Sequence, residues 1–208
     1  MQWINAMRPL CGMSTALLVV SGFRHSHQPT DWIVVVAVFF LTSTAMLWND
    51  YHDRELDVAK GRFLASRHPV WFLRYALAFA VISLGLSVFV WWHTPLFGML
   101  CVGLWITSMI YNKVQNNPIA KNVIVSLSVA ATVMFPLLFD SKILSLWIMA
   151  GSILVIISAR EFIKDVEDME ADRGKKRTLA LVMDSHISKK SAVYMRHLLS
   201  LLLVALMF

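Results

Sequence analysis

Five stretches of this 208-residue chain contain no Asp, Glu, Lys or Arg: residues 9–23, 32–49, 75–111, 122–139 and 143–159. The third is too long for one membrane crossing and breaks at His93-Thr94-Pro95, where the proline disfavours continued helix. Another apolar run starts near Val193 and is still apolar at Phe208. A helical span needs roughly 17–25 residues, so six segments are long enough or nearly so, and the seventh reads as cut short. Charged residues make up 15% of the chain, against about 25% in a soluble domain, so the solvent for these segments is lipid. Only helices and closed barrels satisfy the backbone there, and no barrel-like alternation is visible. The sequence therefore predicts an all-α, polytopic transmembrane helical bundle of about seven spans, a single domain over residues 1–208.

Arg8 is the only charge ahead of the first apolar run, and no clear small-x-small cleavage site precedes Arg24, so this stretch reads as the first span rather than a cleaved leader. Cys11 and Cys101 lie inside apolar runs and read as packing residues. With a cytoplasmic N-terminus, 17 of the 19 Lys and Arg residues fall on the inside and only Arg24 and Lys142 outside. That is a positive-inside distribution. It explains the net charge of +6 without nucleic acid, and suits a multi-pass protein of a bacterial-type inner membrane.

Where the second and sixth spans end, the same acidic pattern follows: Asp50, Asp53 and Asp57, then Asp165, Asp168 and Asp172. Each set is spaced i, i+3, i+7, so on a helix its three carboxylates share a face. Four helices separate the copies, which returns the chain to the same, cytoplasmic, membrane face and suggests a pseudo-repeat around a central cavity. Their helical spacing implies that each motif continues the preceding helix, with Gly61 and Gly174 as stopping points. A single copy is explained by a solvated helix face. Two copies at equivalent positions point to a bound cation, because six carboxylates at a membrane boundary repel one another. Mg²⁺ takes oxygen ligands and is commonly held by one or two carboxylates plus substrate phosphates, so two facing clusters would clamp a diphosphate. A cation transporter is the rival, although transporter acids usually sit mid-span.

The run Trp48-Asn49-Asp50-Tyr51-His52-Asp53-Arg54-Glu55-Leu56-Asp57 resembles the NDxxDxxxD signature of UbiA-type intramembrane prenyltransferases. The run from Arg160 to Asp172 resembles their second signature, DxxDxxxD, and Arg177-Thr178-Leu179 the segment that often follows it. The resemblance implies Mg²⁺-dependent transfer of a prenyl group from a prenyl diphosphate donor to a hydrophobic or aromatic acceptor in the lipid bilayer. It implies that Asp50, Asp53, Asp57, Asp165, Asp168 and Asp172 are catalytic and metal-binding. Asn49, Lys113, Lys164, Tyr111, Asn122 and Arg8 are then expected to bind substrate, with Arg67, Arg160 and Lys121 as further cations. For any one of these cations positive-inside topology is the better default, and membrane-interface anchoring explains the tyrosine equally well.

The chain departs from the family pattern in three places. Lys60-Gly61-Arg62-Phe63-Leu64-Ala65-Ser66-Arg67-His68-Pro69 stands where an Arg-Pro-rich segment is usual. Lys121 precedes Asn122 where Gly is common. The family typically has about nine spans, so a short or truncated member, a non-catalytic homologue, or partner helices closing the cavity are all expectations here. The run around Lys164 and Asp165 is more like the subgroup acting on geranylgeranylglyceryl phosphate or chlorophyll-type acceptors than the 4-hydroxybenzoate subgroup.

Overall fold

The computed structural model describes residues 2–58, 63–114, 117–138, 143–174, 178–182 and 189–205. Twelve α-helices follow one another in these regions, with no strand among the described residues. They are α1 (Gln2–Ala6), α2 (Pro9–His25), α3 (Trp32–His52), α4 (Arg54–Val58), α5 (Leu64–Arg67) and α6 (Pro69–His93). There follow α7 (Pro95–Val114), α8 (Pro118–Ala131), α9 (Leu144–Glu167), α10 (Met169–Asp172), α11 (Leu179–Val182) and α12 (Lys189–Ala205). The predicted spans map onto α2, α3, α6, α7, α8, α9 and α12. Of these, α3, α6 and α9 are long and apolar enough to cross a membrane on their own, and shorter apolar helices lie within α7, α8 and α12.

Local chemistry sets the boundaries. Asp31 caps α3, its Oδ1 accepting from the Ile33 and Val34 amides at 3.0 and 3.3 Å, and Asn117 caps α8 through the Ile119 and Ala120 amides, both at 3.1 Å. Prolines open α2, α6 and α7, where a missing N–H costs nothing. The predicted span over residues 122–139 is not one helix. It ends at Ala131 and resumes as a 3₁₀ turn, Phe135–Leu138, because Pro136 lacks an amide donor and its ring collides with the carbonyl four residues back.

The bundle packs α2 and α6 against α3, α7 against α6, and both α8 and α12 against α9. One core cluster joins Phe23, Phe97 and Phe135, with edge-to-face centroid distances of 5.8 and 5.5 Å. Hydroxyls tie helices across the apolar interior: Thr15 to Thr42 at 2.8 Å, Thr44 to Ser83 at 3.1 Å and Ser158 to Ser126 at 2.9 Å. Two close approaches require glycine. A Cβ on Gly22 would lie 2.6 Å from the Val133 carbonyl oxygen, and one on Gly98 would overlap the Trp91 backbone. Cys11 and Cys101 are free thiols, half-buried and buried, in keeping with packing roles.

Both acid motifs continue the helix before them, as their spacing predicts, but each helix breaks once within the motif. At Asp53 the chain leaves α3 and re-enters helix as α4; at Asp168 it leaves α9 and re-enters as α10. Gly174 stops the second motif with φ +77°, a conformation few other residues adopt. Gly61 lies outside the described residues, as do Lys60, Arg62 and Arg177.

Candidate functional site

Five of the six motif carboxylates are buried: Asp50, Asp53, Asp57, Asp165 and Asp172. Asp168 is half-buried. Burying an anion is costly without a partner, and the structure supplies cations from outside both motifs. Arg8 Nη2 donates to Asp50 Oδ1 at 2.5 Å. Lys121 Nζ donates to Asp165 Oδ1. The first acid of each motif is therefore paired with a base near the start of the preceding packed helix. Arg8 takes up this position from an uncommon backbone, φ 48° and ψ 62°, immediately before Pro9 opens α2. Lys121 lies in the first turn of α8, its amide bonded to the Asn117 carbonyl at 3.0 Å.

Beside Arg8 lies a cavity of about 140 Å³ walled by α2, α3, α7, α8 and α9, whose lining includes none of the six motif aspartates and not Lys121. Its polar lining includes Arg8, Asn49, Tyr111, Glu161 and Lys164; Val38, Leu41, Leu104, Val125 and Val129 line its apolar part. Four residues expected to bind substrate, Arg8, Asn49, Tyr111 and Lys164, thus share one cavity. Asn122 is buried on α8, beside Lys121 in sequence. Lys113 is exposed and outside the lining, because two residues along a helix turn its side chain away from the face that Tyr111 presents. Arg67 is also outside the lining, its guanidinium 5.1 Å from the Phe63 ring centroid.

Glu161 is the lining residue that the motif reading passed over. Its carboxylate is buried on α9, accepting from Arg160 at 3.1 Å and from Lys164 at 3.3 Å. The signal was present in the sequence, since Glu161 stands four residues before Asp165 and shares its helix face. It holds Lys164 at the cavity wall.

Among the described residues no three His, Cys, Asp or Glu side chains group closely enough to form a metal cage alone. The chemistry of the donor set nevertheless suits Mg²⁺. Asn49 Oδ1, Asn122 Oδ1 and Asp165 Oδ2 are buried oxygens with no hydrogen-bond donor. A hard cation that keeps waters and shares phosphate oxygens does not need a preformed protein cage.

The profile of the UbiA prenyltransferase family matches residues 10–208. The chain is 26% identical over 182 residues to a digeranylgeranylglyceryl phosphate synthase of Thermococcus kodakarensis, covering 86% of this chain and 64% of that one. It is 29% identical over 187 residues to the synthase of the same description from Methanospirillum hungatei, covering 82% of this chain and 64% of that one. It thus spans about 64% of the length of these curated relatives. A solved structure described as giving structural and mechanistic insights into the biosynthesis of digeranylgeranylglyceryl phosphate synthase in membranes shares the fold. Its TM-score is 0.59 at 19% identity, over 99% of this chain and 75% of that one.

Proposed function

The chain belongs to the UbiA prenyltransferase family, and from that premise we propose that it transfers a prenyl group from a prenyl diphosphate to a lipid-type acceptor within the membrane. The observation that carries this reading is the cavity's division: Arg8, Asn49, Tyr111, Glu161 and Lys164 line part of it, and aliphatic side chains line much of the rest. An amphiphile with an anionic head and an apolar tail matches that lining.

In this reading the diphosphate lies between the two acid motifs. Asp50, Asp53 and Asp57 on one side, and Asp165, Asp168 and Asp172 on the other, would hold Mg²⁺. When bound, the metal supplies Lewis-acid stabilisation of the charge developing on the departing diphosphate. Arg8 and Lys164 add fixed positive charge at the cavity wall, the guanidinium offering a fork that matches phosphate oxygens. The Asn49 amide is oriented by its own bond to Asp53 Oδ2 at 3.4 Å. The aliphatic wall takes the prenyl chain and excludes water, so the allylic carbon meets the acceptor before water does. Tyr111 lines the cavity, where its ring would stabilise positive charge on that carbon.

The relatives' description as digeranylgeranylglyceryl phosphate synthases favours a prenylated glyceryl phosphate as acceptor over an aromatic acid. Both motifs and the N-terminus would face the cytoplasm. The test uses membranes containing the chain, labelled prenyl diphosphates of several lengths and a panel of acceptors, with Mg²⁺ and lipid-extractable product as readout. Product with a prenylated glyceryl phosphate supports the reading. Metal flux across proteoliposomes without any prenyl product would replace it with the transporter reading.

A further inference from the structure

The two pairs that open the acid motifs are not equivalent. Arg8 and Asp50 retain side-chain exposures of 24% and 12%; Lys121 and Asp165 retain 11% and 3%. Lys121 therefore delivers its ammonium into an enclosed position, and a buried lysine is almost never found without a partner. It contacts one carboxylate oxygen, Asp165 Oδ1, while Oδ2 of the same group is buried without a donor. Asn122, the next residue on α8, likewise keeps a buried Oδ1 with no hydrogen bond. One helical turn earlier on α9, Glu161 is already held by Arg160 and Lys164. The end of α9 is thus crowded with protein cations beside buried, under-used oxygens.

We propose that Lys121 is a tethered cation that competes with the divalent ion for the second acid motif. Its ammonium has to give up Asp165 Oδ1 before an ion takes that oxygen, and because this pair is more enclosed than Arg8 with Asp50, the exchange is harder at the second motif. The two motifs consequently load with different affinities, the first motif first. The second fills when a diphosphate supplies further oxygens and offers the displaced ammonium a new anionic partner. The inference rests on the proposed function and adds to it an order of ion binding and a positioning role for Lys121.

The test is Mn²⁺ binding followed by electron paramagnetic resonance on the full chain in detergent, with and without inorganic pyrophosphate. Wild type should show a tight and a weak class of site. Lys121→Gln, and Lys121→Met as an apolar variant of similar length, should tighten the weak class by about tenfold or more, the scale expected when a buried charge competitor is removed. Asp165→Asn should abolish the weak class and spare the tight one. A single affinity class in wild type overturns the inference without any variant, and so does an unchanged weak class in both Lys121 variants. Absence of Mn²⁺ binding by wild type with pyrophosphate overturns the proposed function itself, a different result from either of these.

Discussion

Asp53 and Asp168 hold the same backbone conformation, φ −86° and ψ 5° against φ −90° and ψ −2°, at the middle acid of their motifs. This bridge region is sparsely populated and common at functional positions. In both motifs the residue ends a long apolar helix, its amide bonded back to the carbonyl four residues earlier, Asn49 or Lys164, at 2.9 and 3.0 Å. Its own carbonyl then accepts the amide of the third acid, at 2.8 Å for Asp57 and 3.0 Å for Asp172. The pseudo-repeat read from acid spacing is therefore also a repeat of backbone geometry.

The Arg8–Asp50 pair gives the first prediction. Because Arg8 immediately precedes α2 and Asp50 lies at the end of α3, the pair joins two elements beside the cavity. A double-mutant cycle of Arg8→Ala and Asp50→Ala, read by thermal unfolding in detergent, should give a coupling of about 1–3 kcal/mol. Additive effects would show that the pair is incidental to stability.

Glu161 gives the second. Its carboxylate is buried while Arg160 and Lys164 keep about a third of their side-chain exposure, 32% and 34%, so solvent screens part of the loss when it is removed. Glu161→Gln should destabilise by about 1–2 kcal/mol and weaken binding of a prenyl diphosphate analogue, since Lys164 loses the acceptor that holds it. Unchanged analogue affinity in titration calorimetry would deny Glu161 that role.

Two glycines on one helix give the third. Gly98→Ala places a methyl group onto the Trp91 backbone, whereas Gly103 has open space around the corresponding position. Gly98→Ala should cost about 1–3 kcal/mol through overpacking, and Gly103→Ala should leave thermal stability unchanged or slightly raised. Equal effects would mean that α6 and α7 do not pack as closely as described.

Much of this was legible in the sequence because lipid admits only helices or closed barrels, and no strand alternation marks a barrel here. The break at Pro95, the helical continuation of both motifs and the stop at Gly174 all followed from local chemistry. The break at Pro136 was not legible in the same way, because residues 122–139 form one uninterrupted charge-free run. The site was legible where its residues share a short helical stretch, as Asn49 with Asp50 and Lys164 with Asp165 do. The specific pairings of Arg8 with Asp50 and Lys121 with Asp165 were not, since they join residues 42 and 44 positions apart. Such pairings depend on how neighbouring helices rotate against each other, which no spacing within one helix encodes. Lys113 shows the converse: proximity to Tyr111 in sequence put it among the candidates, and helical rotation took it away.

Topology supplies the fourth prediction. In a variant with Cys11 and Cys101 replaced, single cysteines at exposed His52 and Ser191, near motif-bearing ends of the bundle, should react with a membrane-impermeant maleimide only from the cytoplasmic face. A cysteine at exposed His93 should react only from the other. Labelling of all three from one side would contradict the proposed positive-inside arrangement.

The central claim is that one diphosphate is held between the two acid motifs while its prenyl group is transferred. The most direct measurement is release of diphosphate coupled to lipid-extractable prenyl product, with wild type, Asp50→Asn and Asp165→Asn compared at saturating Mg²⁺ and again in excess chelator. Product is expected from wild type only with the metal present, with a loss of about a hundredfold or more in each variant, the scale seen when a group stabilising developing charge is removed. Product formation that survives both substitutions, or that is indifferent to chelator, would contradict it.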